Sequence, residues 1–136
     1  MESTSEQKTN AERPREVTRA VQFLVSSLAI GLLNAMFHLV QRTSGAPMVF
    51  ALLIVIAFFG LLFFLVMKIS AGRNWARIIL LVLVLFGIPF AIPAYLEEVR
   101  RNVLSGTLSI IISILQLIGT YLLFTKQSNL WFRARK

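Results

Sequence analysis

The chain has no cysteine among its 136 residues, which excludes disulfides, thiol catalysis and Cys-ligated metals. Acidic residues are scarce, six against 14 Lys and Arg, and there is one histidine. No nucleophile–base pair, metal-ligand cluster or glycine-rich phosphate loop appears, so no residue is assigned to catalysis, to a cofactor or to a metal. The chain is expected not to be an enzyme. Short strands of alternating polarity, the pattern of a membrane barrel, are missing too. A cleavable signal is not expected, because residues 1–19 mix Glu2, Glu6, Glu12 and Glu16 with Lys8, Arg13, Arg15 and Arg19.

What is present is hydrophobicity, at 57% of residues, together with a net charge of +8. A soluble domain is about 45–50% apolar, so composition alone does not decide the class. Distribution does. Charges sit at the ends and in short connecting stretches, leaving four long runs that read as membrane helices. The spans are 20–40, 49–67, 78–95 and 104–124. At 1.5 Å per residue they are roughly 27–32 Å long and match a bilayer core of about 30 Å. Backbone amides in lipid must be satisfied within the segment, so the spans are helical despite many β-branched residues. The expected fold is an all-α up-down-up-down bundle of four transmembrane helices. It divides into a disordered tail (1–13), a membrane domain (14–125) and a basic tail (126–136).

Lysine and arginine orient it, since positively charged loops stay cytoplasmic. Lys8, Arg13, Arg15 and Arg19 precede span one. Lys68, Arg73 and Arg77 lie around the second connection, and Lys126, Arg133, Arg135 and Lys136 follow span four. Four spans place all eleven on one side, leaving Arg42, Arg100 and Arg101 on the other. Both termini are therefore expected in the cytoplasm, in a bacterial inner membrane.

The stretch "KISAGRNWAR" is then a cytoplasmic hairpin. Gly72 permits the reversal, Lys68 and Arg77 snorkel to headgroups, and Trp75 suits the interface. Trp131 with Arg133, Arg135 and Lys136 suits an anionic inner leaflet, where each cation contributes about 1 kcal/mol. Ten residues between spans are too small a surface for nucleic acid. On the opposite side, "QRTSGAP" is a turn broken by Gly45 and Pro47, and "LEEVRRNV" reads as an interfacial helical turn pairing Glu97 with Arg101.

Drawn this way, the spans contain no Asp, Glu, Lys or Arg. Proton-coupled and cation-binding transporters usually place an ionisable group in the membrane, and His38 is the one candidate. Neutral polar groups follow helical steps. Ser27, Gly31, Asn34 and His38 share a face of span one, and Ser109, Ser113, Gln116 and Thr120, with Ser105 before them, share a face of span four. The economical expectation is that these faces meet and hold the bundle together. Pro89 and Pro93 make a kink in span three plausible.

At "GRNWARIILLVL" and "QLIGTYLLFTKQSNLWFR" the chain resembles a group of small four-span inner-membrane proteins encoded in many proteobacterial genomes. The resemblance covers most of the chain beyond the N-terminal tail. It implies the membrane setting and no particular chemistry. Three roles follow as expectations. The first is a non-enzymatic accessory or structural subunit acting through lipid contacts, a membrane-protein partner or a second copy of the chain. The second is a small oligomeric channel or transporter using the two polar faces, and the third a holin-like or toxin-immunity protein.

Overall fold

A computed structural model describes residues 13–42 and 45–134, apart from the side chains of Arg42 and Ala46. These residues form five helices: α1 (Arg15–Arg42), α2 (Ala46–Ser70), α3 (Asn74–Arg101), α4 (Val103–Leu122) and α5 (Lys126–Ala134). The first four are long and apolar enough to cross a membrane. The chain is a multi-pass membrane protein by that criterion. The expected disordered tail at 1–13, and the roles given to Arg135 and Lys136, fall almost wholly outside the described residues; Arg13 alone is seen, donating to the carbonyl of Ser70.

Local chemistry sets the helix ends. The carbonyl of Pro14 accepts from Thr18 N at 3.1 Å and opens α1. Gly45, with φ +79°, precedes α2, whose first turn holds Pro47. Proline suits that turn because its missing N–H would have no intrahelical partner. The α2–α3 hairpin closes on Gly72, at φ +83°. Gly72 N donates to Ile69 O at 2.9 Å, and Arg73 N to Lys68 O at 3.0 Å. This pair of bonds is a Schellman motif, which needs a left-handed residue that glycine supplies without a Cβ clash.

The α3–α4 corner is tighter. Asn102 alone separates the helices, in extended conformation, with its Oδ1 accepting from Leu104 N at 3.1 Å and Ser105 N at 3.3 Å. It is an N-cap that satisfies two of the four donors stranded at a helix start. The turn presses Gly106 against Val99, where a Cβ would meet the Val99 backbone at 2.6 Å.

Helix α1 packs on α2 and most extensively on α4, and α3 packs on α4 and least extensively on α2. Gly119 allows the α1–α4 approach, since a Cβ there would lie 3.2 Å from the carbonyl of Ala20. The buried core fills only one half of the molecule. Val17, Ala20 and Leu24 of α1 meet Leu62, Leu65, Val66 and Ile69 of α2, Ala76 and Leu80 of α3, and Leu123. Trp131 and Phe132 of α5 close this end.

Two features differ from the sequence reading. Helix α3 does not stop at Tyr95 but runs unbroken through Pro89 and Pro93 to Arg101. The expected helical turn in "LEEVRRNV" is present, with Glu97 and Arg101 paired, as the last turns of that helix. Both prolines and their neighbours Phe86 and Phe90 face outward, so the missing hydrogen bonds do not interrupt inward packing. Residues 126–134 are helical and docked, because Ser128, Trp131 and Phe132 repeat at helical spacing and are all buried.

Candidate functional site

Opposite the packed core, in the half nearer Arg42 and Asn102, the four helices part around a cavity of about 710 Å³. Helices α1, α4 and the end of α3 supply a polar wall. The other wall is apolar, with Phe59 and Leu62 of α2 facing Leu83, Val84 and Ile88 of α3. Phe58, Ile88 and Ile92 line the cavity while exposed on the apolar perimeter, so it opens sideways between α2 and α3. It also reaches the surface at Glu97 and Arg101, which pair at 2.9 Å with both side chains more than half exposed.

The polar wall is built rung by rung. Asn34 Nδ2 donates to Ser109 Oγ at 3.0 Å. One turn on, His38 Nε2 lies 2.5 Å from Ser105 Oγ. These two bonds join α1 to α4. Ser113 Oγ donates to its own helix at Ser109 O, 3.0 Å away, and meets the hydroxyl of Tyr95 from α3. Gln116 also lines the cavity. Ser27 and Thr120 turn back on their own helices, to Leu24 O at 2.8 Å and Gln116 O at 2.8 Å. Gly31 sits below, 3.4 Å from the Phe59 ring when measured from an added Cβ.

Glu98 changes the character of this wall. Its Oε1 lies 2.5 Å from His38 Nε2 and accepts from Ser105 Oγ at 3.1 Å. The Glu98 side chain is only 15% exposed, and that of His38 20%. An ionisable pair therefore stands inside a membrane-length helix bundle, where the sequence reading placed His38 alone. That reading ended span three at Tyr95 and took "LEEVRRNV" for an interfacial turn, which left Glu98 outside the spans. A signal was available: Gly87, Ala91, Tyr95 and Glu98 follow helical steps on one face of α3.

The residues assigned to headgroups divide. Arg73, Trp75 and Arg133 are exposed, and Lys68 is half-buried with its ammonium 5.1 Å from the Phe64 ring centre. Arg77 and Trp131 are buried at 7% and 4% exposure, away from any headgroup. The Arg77 guanidinium donates from Nη1 to Leu123 O at 3.0 Å and to Asn129 Oδ1 at 2.7 Å. Its Nε donates to Asn74 Oδ1 at 2.5 Å, and it stacks 4.5 Å from the Phe132 ring centre. Arg77 is a clasp that seats α5 beneath the core.

No family model, no curated protein and no solved structure matches the chain.

Proposed function

We propose that the protein is a small carrier of the bacterial inner membrane that holds an amphipathic molecule in the cavity between its four helices. The observation behind this reading is the cavity itself: one wall is polar, the other apolar, and the volume of about 710 Å³ suits a small-molecule ligand. With four spans, eleven of the 14 basic residues are assigned to the side of the termini, and under the positive-inside rule that side is the cytoplasm. The packed core then faces the cytoplasm and the cavity faces outward. Lys68, Arg73, Trp75 and Arg133 sit where anionic inner-leaflet headgroups would meet them.

The natural chain has no cysteine, so introduced thiols report the cavity directly. Ala91→Cys and Ser113→Cys are expected to react with a small charged thiosulfonate added from the outer side, and Leu24→Cys and Leu80→Cys to be protected. Protected thiols at Ala91 and Ser113 in a folded protein would remove the basis for the carrier. An accessory role through helix contacts is the second reading. Phe86, Phe90 and Tyr121, each more than 70% exposed, favour it, and it calls for a membrane partner or a second copy that co-purifies.

A further inference from the structure

We infer that the cavity takes an organic monocation with an apolar body, its charge set against Glu98. This rests on the cavity being a ligand site and adds the class of ligand. Proton positions decide the charge of the wall. A carboxylate only accepts, so the 2.5 Å contact at Glu98 Oε1 requires a hydrogen on His38 Nε2. Either the neutral Nε2–H tautomer or the imidazolium provides it. Ser105 Oγ donates to the same oxygen at 3.1 Å. With the neutral tautomer both bonds form without cancelling the Glu98 charge, and neither uses its second oxygen.

Among the described residues, the group in the cavity able to cancel that charge is His38, and only when protonated. Arg101 also lines it, but its Nε is committed to Glu97 Oε1 at 2.9 Å. Tyr95 is bonded to Ser113. Among the described residues, α2 and α4 bring no charged side chain to the lining, and α1 brings only His38. With His38 neutral, the cavity carries one net negative charge. A carboxylate lining such a cavity favours a ligand that brings a positive charge.

The surroundings choose the kind of cation. Among the described residues, no three His, Asp or Glu side chains group to hold a metal ion. Beyond the polar wall lie Leu28, Phe59, Leu83, Val84 and Ile112, which suit an apolar body and give nothing to a hydrated ion. A proton on His38 would supply the same positive charge as the ligand, so proton and ligand compete. Acidification is expected to weaken binding.

Tetraphenylphosphonium and tetraphenylborate, nearly identical in shape and opposite in charge, test this on the full chain in lipid nanodiscs. The expected result is saturable phosphonium binding that tetraphenylborate does not displace. Glu98→Gln keeps acceptors for His38 and Ser105 and should weaken binding at least tenfold. Lowering the pH on the unmodified protein should weaken it in the same direction, a measurement that stands even if Glu98→Gln fails to fold. Binding within twofold of the natural chain in Glu98→Gln, insensitivity to acid, or no saturable phosphonium binding would each overturn the assignment. Ala91→Trp, which fills the cavity, separates the two layers. If it abolishes binding that Glu98→Gln leaves intact, the cavity reading survives and the cation does not.

Discussion

Arg77 and Asn34 are both polar side chains at helix contacts, yet their stakes differ. Arg77 is a buried cation whose donors reach two acceptors beyond its own helix, Leu123 O and Asn129 Oδ1. Hydrogen bonds to charged groups contribute about 1.5–3 kcal/mol, and an abandoned buried acceptor costs about 1–3 kcal/mol. Arg77→Met should therefore destabilise the protein by about 2 kcal/mol or more in a chemical-denaturation titration in detergent. It should also expose the α5 linker to protease. Arg77→Lys should recover little, because one ammonium cannot reproduce a planar fork stacked on Phe132. Asn34 makes a single interhelical bond to Ser109. Such pairs are worth about 0.6 kcal/mol on average and seldom more than about 2, so Asn34→Leu should barely move thermal stability. Its effect should show in liposomes: solute flux through a carrier falls, whereas a packing role leaves flux unchanged.

Two glycines show how backbone demands differ between connections. Gly72 is required by its sign of φ alone, since the α2–α3 hairpin needs a left-handed residue. Gly72→Ala should cost about 1–2 kcal/mol and leave the fold in place. Gly106 has no unusual φ but no room either, with Val99 backbone atoms 2.6 Å from an added Cβ. Gly106→Ala must push α4 away from the end of α3, the corner that brings Ser105 to Glu98. The expected outcome is a larger loss of stability than at Gly72, measured by the same thermal assay, together with weakened ligand binding. Helical periodicity revealed the inward faces of spans one and four. It did not reveal the docking of α5, because Trp131 beside Arg133 read as a lipid-headgroup contact until Arg77 offers Asn129 a buried partner.

At the level of the assembled bundle, packing is polarised. The half that holds the start of α1 and helix α5 is filled by Leu24, Leu65, Ile69, Leu80 and Phe132, and the other half opens into the cavity. Polarity of charge runs the same way. Reporter fusions after Lys136 and within the 71–73 turn should therefore report cytoplasm, and a fusion at Asn102 the periplasm. A periplasmic C-terminus would contradict the orientation and turn the cavity toward the cytoplasm. Neutralising Lys68 and Arg73 together should lower the fraction of correctly inserted chains in the same assay.

Local and additive properties were readable in the chain. Hydrophobic run length is a sum over neighbours, so four membrane-length helices could be read from composition along the sequence. The steps of Asn34, His38, Ser109 and Ser113 followed from helix geometry alone. Where α3 ends was not readable, since the charges at 97–101 suit an interfacial turn as well as the last turns of a longer helix. The partners of charged side chains depend on which helices meet and at what height. Only the folded arrangement carries Glu98 to His38, and only it turns Arg77 inward. The sequence left Glu98 in an interfacial turn and gave Arg77 to lipid headgroups, and the contacts across the bundle give each a partner inside it.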